Sequence, residues 1–261
     1  MEKIISFLGV YIRAWANCAY LLIFGIFRSA DRDELRRVSR CFVPPEEKPP
    51  LSVPEIPYHE AVGQSVCVVI RYPVVEKGNI SLLETMALNA MVRKCSVRCF
   101  LEIGTFNGRT ALNIAANMPE EGVVYTLDLP REGMDTTNLP LDPRDKILID
   151  KEASGALFVG TPEERRIRQL FGDSATFDFS PYHGSVDMVF VDGSHSCEYA
   201  KKDTQTALKL LRSGGTVVWH DYGTFDGVTA ALNNLYATDR RFSGMRRIAG
   251  TSLVHLPGEA S

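Results

Sequence analysis

From residue 81 onward, short continuous apolar runs alternate with longer segments in which apolar positions recur at helical spacing. The apolar runs predict buried strands at 99–103, 122–128, 186–192 and 216–220. The helical spacing predicts helices at 81–94, 109–117, 163–170, 197–211 and 227–237. Strands that alternate with helices of these lengths are typical of a parallel sheet with helices on both faces. The pattern therefore predicts an α/β domain in this part of the chain.

Two of the predicted helices carry boundary signals in the sequence. Ser81 and Glu84 have the spacing of a capping box, in which two side chains accept hydrogen bonds from free backbone N–H groups at the helix start. Residues 213–215 (Ser-Gly-Gly) are expected to end the 197–211 helix, because glycine readily adopts the left-handed conformation of many helix ends.

Residues 4–27 show a different pattern, an apolar run interrupted by Ser6, Arg13 and Asn17. The run is long enough to cross a bilayer as a helix, which needs about 20 residues. Arg13 would be costly within a span unless its side chain is paired or reaches the interface. Together with Gly9, the three interrupting residues form one polar stripe, which equally suits a helix lying on a membrane or packed against a partner. The sequence leaves these alternatives open.

The charges around this run predict its orientation if it spans a membrane. Lys3 and the α-amino group precede the run, whereas five arginines follow it, at positions 28, 32, 36, 37 and 40. Because basic residues are enriched in cytoplasmic loops, we expect the following domain to lie at the cytoplasmic face. A secretory signal peptide fits poorly, since the run is long and no small-residue cleavage site ends it.

Six prolines between residues 42 and 57 indicate an extended segment, because proline restricts φ and removes backbone donors. We therefore expect residues 1–30 to form a hydrophobic helix, residues 31–77 a charged and proline-rich linker, and residues 78–261 the α/β domain. This division places all the candidate chemistry in the third segment.

The composition narrows the classes of partner. The chain has 261 residues, a net charge of −3 and a pI near 6.0, so we expect no nucleic-acid partner. The cysteines form neither a C-x-x-C pair nor a metal-type spacing, and we expect free thiols in a reducing compartment. These residues are Cys18, Cys41, Cys67, Cys95, Cys99 and Cys197.

Acidic and imidazole side chains collect at the carboxyl ends of the predicted strands, where parallel α/β sheets bind their ligands. The first strand ends in Glu102 and opens into a turn with Gly104 and Gly108, which predicts a nucleotide-type cofactor site. The other residues at these ends are Asp128, Asp173, Asp192, His195, His220 and Asp221. An acid after the second strand also suits NAD, but the spacing of the two glycines departs from the G-x-G-x-x-G fingerprint.

The ordered motifs are Glu102-Ile-Gly104-Thr105-Phe-Asn-Gly108, Asp128, Gly172-Asp173-Ser174, Asp192-Gly-Ser-His195 and Trp219-His220-Asp221-Tyr222. This combination resembles the class I S-adenosylmethionine-dependent methyltransferases. Within that class it is similar to the small-molecule and sugar O-methyltransferases that carry an Asp-Gly-Ser-His signature. The resemblance covers roughly residues 78–257 and implies a Rossmann-like sheet with helices on both faces.

The resemblance implies that S-adenosylmethionine binds at Glu102, Gly104, Thr105, Gly108, Asp128, Asp173 and Ser174. Gly104 and Gly108 would let the main chain approach the methionine part, and Glu102 would accept from its ammonium group, directly or through water. Asp128 would accept from both ribose hydroxyls, since a carboxylate presents two acceptor oxygens. Asp173 would accept from the adenine amine. The alternative for Glu102 and Asp173 is helix capping or a surface salt bridge.

His195 and Asp192 are the predicted catalytic residues. Methyl transfer to a hydroxyl group needs an aligned acceptor and removal of the hydroxyl proton. The ordinary pKa of histidine, about 6.5, suits a general base near neutral pH. In the related sugar O-methyltransferases the matching histidine has this role, and the aspartate three residues before it binds a divalent cation. The alternative for His195 is a structural histidine at the start of the 197–211 helix.

The resemblance also implies two acidic cation ligands after the next strand, where this chain has His220 and Asp221. Mg²⁺ prefers oxygen ligands, so an imidazole at the first position favours Mn²⁺ or another transition metal. A tentative metal site therefore comprises Asp192, Asp221 and His220. Without a metal, His220 would be a second acid/base or a contact of the acceptor.

These observations predict an S-adenosylmethionine-dependent methyltransferase that acts on a hydroxyl group of a small molecule or sugar. Residues 129–160 lack periodicity and are expected to shape the acceptor pocket, as long loops inside domains often do. The alternative is a non-catalytic cofactor-binding or scaffolding protein with a methyltransferase fold, held in place by its N-terminal helix. Membrane association through residues 4–27 and a homo-oligomer both remain open.

Overall fold

The computed structural model describes residues 2–25, 27–28, 31–40 and 48–258. The chain divides into two compact units, Met1–Lys48 and Pro49–Ser261. The first unit contains helix α1 (Glu2–Phe24) and helix α2 (Arg32–Arg40). Within α1, the stretch Phe7–Phe24 is long and apolar enough to cross a membrane, by length and composition, and none of it is buried. The predicted N-terminal helix is therefore present, and its membrane role stays a prediction.

The second unit is organised around a mixed sheet. Within the described residues it has eight strands: β1 (Glu55–Ile56), β2 (Cys99–Ile103), β3 (Val123–Asp128), β4 (Ile167–Phe171), β5 (Val186–Val191), β6 (Leu211–Trp219), β7 (Arg246–Ile248) and β8 (Val254–Leu256). Their order across the sheet is β1-β7-β8-β6-β5-β2-β3-β4. Strand β8 runs antiparallel to both β6 and β7, and the other neighbouring pairs are parallel. The expected parallel sheet is thus correct for its centre and wrong for the edge that contains β8.

Helices cover both faces of this sheet, as predicted. They are α3 (Tyr58–Val62), α4 (Leu82–Lys94), α5 (Arg109–Asn117), α7 (Cys197–Leu210) and α8 (Asp226–Thr238). A further short helix, α6 (Lys146–Ile149), lies in the segment between β3 and β4. Side chains of a strand alternate between the two faces. Phe100 therefore packs in a core cluster with α4 and α5, whereas its neighbour Leu101 packs in a second cluster with α7 and α8.

Several local predictions are confirmed by these elements. The capping box is present, with Ser81 N–H donating to Glu84 at 2.8 Å and Glu84 N–H donating to Ser81 at 3.2 Å. Helix α5 begins and ends where its spacing predicts. Helix α7 ends one residue before its predicted end, and helix α8 extends one residue beyond the prediction at each end.

The predicted helix at 163–170 is wrong. A single 3₁₀ turn, Glu164–Arg166, leads directly into β4, which pairs along its whole length with β3. The free edge of β3 offers backbone hydrogen bonds that a helix could not use, so tertiary pairing overrides the local spacing.

The predicted glycine cap of α7 is also wrong. The helix ends at Leu210, and the next residue is already extended with φ −61° and ψ 134°. Residues 213–215 belong to β6, beside a register shift between Val186 and Met188 of β5. Gly214, with φ 75°, therefore accommodates an irregularity of the sheet and does not end a helix.

The predicted linker 31–77 is wrong over its second half, which packs within the second unit. The backbone of Val69 and Arg71 runs along α5, where the side-chain amides of Asn117 and Asn113 both accept from and donate to it, at 2.7–2.9 Å. These amides take the place of the backbone partners that a helix or strand would provide. The segment therefore has the sequence pattern of a linker, although the N–H and C=O groups of these two residues are hydrogen-bonded.

The described cysteines are free thiols, as predicted, and Cys41 lies outside the described residues. Cys95 ends α4, and Cys99 begins β2. Burial, with the nearby Asp187 carboxylate, raises the pKa of Cys99 to about 11, so this thiol stays protonated and unreactive at neutral pH.

Candidate active site

A cavity of about 420 Å³ opens at the carboxyl ends of the central strands. The turns after β2, β3, β4, β5 and β6 contribute to its lining, together with the segment between β3 and β4. The predicted site residues in the lining are Gly104, Thr105, Asp128, Asp173, Ser174, Asp192, His195, His220 and Asp221. Two predicted cofactor residues, Glu102 and Gly108, are outside it. The sequence motifs therefore converge on one cavity, at the edge where sheets of this type bind ligands.

Glu102 lies behind the cavity wall. Its side chain is fully buried and accepts from the hydroxyl of Thr126, which in turn lies 2.7 Å from the hydroxyl of Thr105. Burial raises the pKa of Glu102 well above its ordinary value, and its Oε1 has no partner among the described residues. As placed, Glu102 connects to the cavity through Thr126 and Thr105, and its contact with the cofactor ammonium stays a prediction.

The two glycines of the first turn are required by protein packing. Gly104 has φ 102°, and a Cβ there would lie 1.9 Å from the carbonyl oxygen of Asp192. Gly108 has φ 85° at the start of α5, and a Cβ there would lie 2.6 Å from the ring of Phe158. The sequence interpretation attributed both glycines to the approach of a ligand. In the structure, the atoms that lie close to these glycines belong to Asp192 and Phe158 of the protein.

Asp128 ends β3 and lines the cavity, as its position predicts. Its Oδ2 pairs with Lys151 Nζ at 2.8 Å and accepts from the hydroxyl of Ser154. Both contacts involve the same oxygen, which leaves Oδ1 without a hydrogen-bond partner among the described residues. One acceptor oxygen of Asp128 is therefore available to a ligand hydroxyl, and the second is shared with Lys151.

Asp173 lies at the same edge but already accepts three hydrogen bonds. Oδ1 accepts from the hydroxyl of Tyr199 at 2.7 Å and from the N–H of Ala175 at 2.8 Å, and Oδ2 accepts from the N–H of Asn138 at 2.8 Å. A carboxylate has about four lone-pair sites. Asp173 can therefore still accept a hydrogen bond from an adenine amine, although its carboxylate also holds three other groups of the protein.

The catalytic candidates form a chain of alternating carboxylates and imidazoles, in which Asp192 and His220 are half-buried and the other members buried. Asp145 contacts Nδ1 of His195, whose Nε2 lies 2.8 Å from Asp221 Oδ2. The same oxygen of Asp221 lies 3.1 Å from His220 Nδ1, which is 2.9 Å from Asp192 Oδ1. The structure therefore brings together all four residues that the sequence proposed for catalysis and metal binding, and it adds Asp145.

Glu84 extends the chain at its other end. Its Oε2 lies 3.3 Å from His220 Nε2, and its Oε1 accepts from the N–H and the hydroxyl of Ser252, each at 2.8 Å. Burial opposes ionisation of Glu84, but the hydrogen bond and charge of His220, together with hydrogen bonds from Ser252 and Ser81, lower the pKa of the carboxyl. The residue that caps α4 thus also orients a site histidine.

The carboxylates favour charged imidazole rings. Burial opposes the charged form of His195, yet the hydrogen bonds and charges of Asp145 and Asp221 raise its pKa to about 9. Burial likewise opposes the charge on His220, and Asp192, Asp221 and Glu84 raise its pKa. In this arrangement both nitrogens of His195 face carboxylates, which favours the imidazolium at neutral pH.

An aromatic ring fixes the plane of His195. The ring of Phe225 stacks on the imidazole with centroids 3.7 Å apart and planes 16° apart. The guanidinium of Arg144 lies 3.9 Å from the centroid of the same Phe225 ring, while Asp142 holds that guanidinium at 2.9 Å. His195 is therefore restricted both in its plane and at both ring nitrogens.

Three of the candidate residues lie close enough together to hold a metal ion. Ligand atoms of Asp192, His195 and Asp221 lie within 4.8 Å of one another. His220 contacts both acids, so it remains a candidate third ligand in place of His195. Two carboxylates and one imidazole suit Mn²⁺ or another transition metal better than Mg²⁺.

Sequence reasoning missed Asp145, Phe225 and Lys151. Asp145 and Lys151 lie in the segment between β3 and β4, which shows no periodicity, and Phe225 follows the His220–Asp221 motif without a signal of its own. Glu84 was recognised from its capping spacing alone. A search for acids in the predicted pocket-shaping segment would have included Asp145, but nothing in the sequence pairs it with His195.

The known proteins that are similar to this chain include methyltransferases. Residues 101–222 match a sequence family described as a methyltransferase domain. Tapetum-specific methyltransferase 1 of Arabidopsis thaliana is 24% identical over 150 residues, which are 57% of this chain and 57% of that protein. This chain therefore spans less than two thirds of the length of that relative.

Solved structures give the same fold. A methyltransferase from Podospora anserina with bound S-adenosylhomocysteine aligns with a TM-score of 0.51 and 16% identity, over 70% of this chain and 81% of that one. A protein from Corynebacterium glutamicum aligns with a TM-score of 0.50 and 16% identity, over 70% and 83% of the two chains. The structure thus has the fold of Rossmann-like methyltransferases, and residues 101–222 match the methyltransferase-domain family. The fold that the ordered motifs predicted is confirmed.

Proposed function

We propose that the protein is an S-adenosylmethionine-dependent methyltransferase that methylates a hydroxyl group of a small molecule or sugar. The observation that carries this proposal is that Asp128 and His195 line the same cavity. Asp128 is suited to binding a ribose, and His195 is suited to proton transfer. The methyltransferase domain and the S-adenosylhomocysteine bound by the Podospora relative support the choice of cofactor.

The residues fit this cofactor at one end of the cavity. Gly104 and Thr105 form the wall beside β2, Asp128 presents a free Oδ1, and Asp173 and Ser174 line the neighbouring turn. S-adenosylmethionine supplies an electrophilic methyl group, so the protein must align the acceptor oxygen with it and remove the hydroxyl proton. The acid and imidazole groups needed for the second task lie in the lining of the same cavity.

His195 is the proposed general base, and its surroundings set a condition on that role. A ring that carries protons on both nitrogens cannot accept another, and Asp145 and Asp221 favour this charged form. Turnover therefore requires that Asp221 be engaged by a different group, which leaves Nε2 of His195 free to accept the proton of the hydroxyl.

A divalent cation would meet this condition. We propose Asp192 and Asp221 as its carboxylate ligands and His220 as a third ligand, because His195 must stay free as the base. A bound cation would neutralise the two carboxylates and so favour loss of a proton from His195 and from the acceptor. Removal of metals with EDTA should abolish turnover, and Mn²⁺ should restore it. Full activity in the chelator would exclude the cation.

The test of the activity is transfer of a labelled methyl group from S-adenosylmethionine to a pool of hydroxylated small molecules and sugars. His195→Ala should keep cofactor binding and lower turnover by about 10²-fold or more, as expected for loss of a general base. The matched control is His183→Ala, because this exposed histidine lies outside the cavity. Equal loss in both variants would contradict the assignment of His195.

A second function belongs to another class, a cofactor-binding scaffold without catalysis. The exposed apolar helix α1 favours it, since a tethered domain could act by holding a partner. A protein that binds S-adenosylmethionine in calorimetry but methylates no member of the acceptor pool would support the scaffold over the enzyme.

We further propose that α1 attaches the protein to the cytoplasmic face of a membrane. The apolar stretch Phe7–Phe24 and the arginines that follow it support this location. Full-length protein should sediment with membranes and need detergent for release, whereas a variant lacking residues 1–30 should stay in the supernatant. Full-length protein that is soluble without detergent would contradict the anchor, and a detergent-independent oligomer lost on deletion would indicate a helix packed between copies.

A further inference from the structure

We propose that Asp145 is a positioning residue that keeps a proton on Nδ1 of His195 and so confines proton exchange with the acceptor to Nε2. This proposal rests on the proposed function for the role of His195 in turnover. The placement of the ring proton itself does not depend on that function.

Asp145 contacts both the imidazole ring of His195 and the backbone of the Asp-Gly-Ser-His turn. It is a buried residue that precedes α6, in the segment between β3 and β4. It contacts His195 although the two residues lie 50 positions apart in the chain. Oδ1 contacts the ring at Nδ1. Oδ2 accepts from the N–H of His195 at 3.1 Å and from the hydroxyl of Ser194 at 2.6 Å. One carboxylate therefore sets both the position of the turn and the contact of the imidazole.

The chemistry of a carboxylate decides where the ring proton lies. An ionised carboxylate only accepts hydrogen bonds, so the nitrogen that contacts it must donate. Both ring nitrogens of His195 contact carboxylates, but Asp221 Oδ2 also lies 3.1 Å from Nδ1 of His220 and keeps that partner when Nε2 loses its proton. Among the described residues Asp145 Oδ1 contacts only the ring of His195, so it would lose its donor if Nδ1 lost the proton. Nδ1 therefore carries a proton in the neutral ring as well as in the charged one. The neutral ring then has its free lone pair on Nε2, which lies at the opposite edge, 2.8 Å from Asp221 Oδ2.

The stacked ring of Phe225 completes the arrangement. With its centroid 3.7 Å from that of the imidazole, it opposes rotation of His195 out of its plane. Exchange of the two ring nitrogens would require breaking this stack and the contact with Asp145. The geometry therefore selects one tautomer and one orientation, as carboxylates commonly do for catalytic and metal-binding histidines.

An asparagine at this position separates tautomer control from simple packing. The three donors at Oδ2 would attract the amide oxygen of Asp145→Asn; they are the N–H groups of Asp142 and His195 and the hydroxyl of Ser194. The amide NH₂ would then face Nδ1, which must accept, so the proton of the neutral ring would move to Nε2. Asp145→Ala removes the contact but leaves both tautomers accessible.

The two roles therefore predict opposite orders of activity. If Asp145 sets the tautomer, Asp145→Asn should lower kcat by about 10²-fold or more, and further than Asp145→Ala does. Both should leave the affinity for S-adenosylmethionine within about twofold, because Asp145 acts through His195. If Asp145 only supports the fold, the isosteric asparagine should be the milder substitution.

The experiment uses the full chain in detergent and has two readouts. The first is ¹⁵N NMR of the histidine rings, recorded where His195 is neutral and assigned by comparison with His195→Gln. We expect a proton on Nδ1 in the unsubstituted protein and on Nε2 in Asp145→Asn. The second is kcat with the labelled cofactor and an acceptor found in the pool. Asp150→Asn is the matched control, since Asp150 lies in the same segment but pairs with Arg131 at 2.9 Å; its spectrum and turnover should be unchanged.

The outcomes distinguish the two proposals. A proton that stays on Nδ1 in Asp145→Asn, or an asparagine variant more active than the alanine variant, overturns the role of Asp145. Absence of turnover in the unsubstituted protein contradicts the proposed function instead, and the NMR readout then still decides where the proton lies. A near-UV circular dichroism spectrum that matches the unsubstituted protein verifies that each variant is folded.

Discussion

Replacement of Gly104 by alanine is the most direct test of how the cavity is built. Gly104 has φ 102°, and an added Cβ would lie 1.9 Å from the carbonyl oxygen of Asp192 and 3.0 Å from the N–H nitrogen of Gly193. Both are backbone atoms, so no side-chain rotation can relieve the clash. The turn that carries Asp192 and His195 would have to move by roughly 1 Å to reach even the 3.0 Å limit of real Cβ contacts.

The cost of this change has two parts. A positive φ costs an alanine about 1–2 kcal/mol. Forcing extra volume into a packed site typically costs about 1–3 kcal/mol more. Gly160→Ala isolates the first part, because Gly160 has φ 75° and no atom lies within 4 Å of its added Cβ. We therefore expect Gly104→Ala to reduce the free energy of unfolding by about 1–3 kcal/mol more than Gly160→Ala does.

Thermal unfolding and turnover measure the two consequences. In a domain of this size, each kcal/mol lowers Tm by about 2–4 °C. A displacement of 1 Å at the catalytic turn should also reduce kcat by about 10²-fold. Equal Tm values for Gly104→Ala and Gly160→Ala, together with full activity, would refute the close approach of the two turns.

Two further predictions concern buried aspartates. Asp128→Ala should abolish binding of S-adenosylmethionine in calorimetry, because it removes the proposed acceptor for the ribose hydroxyls; retained micromolar binding would exclude this assignment. Burial raises the pKa of Asp203 to about 7, so the folded protein holds a proton that the unfolded chain has already lost above about pH 4. The free energy of unfolding should therefore fall as the pH rises from about 4 to 7, by roughly 1.4 kcal/mol per pH unit at most. Urea unfolding at pH 5 and pH 8 measures this fall, which should be smaller in Asp203→Asn. An unchanged slope in the variant would show that other groups cause it.

Sequence reasoning located the functional edge of the sheet. Asp128, Asp192 and Asp221 each follow a central strand directly, and all three line the same cavity. Parallel strands bring their carboxyl ends to one edge, so the order of motifs was sufficient to predict that these acids meet. The capping box at Ser81 and Glu84 was predictable for a similar reason, since both of its hydrogen bonds are local.

The partners of these residues were not predictable. Glu84 lies 136 residues from His220 in the chain, and Asp145 lies 50 residues from His195. Neither pair has a spacing that a helix or strand would impose. The predicted helix at 163–170 failed for a related reason, because β4 exists through its pairing with β3.

The sequence by itself determined the class of fold, the resemblance to methyltransferases and the edge of the sheet at which the cavity opens. These properties follow from periodicity and from short motifs, which report local hydrogen bonding and burial. Only the tertiary structure decided that Gly104 makes room for the backbone of Asp192, that Lys151 pairs with Asp128, and that Asp145 holds His195. Such contacts depend on how distant segments pack against one another, and the free energy of that packing is not a property of any local stretch of sequence.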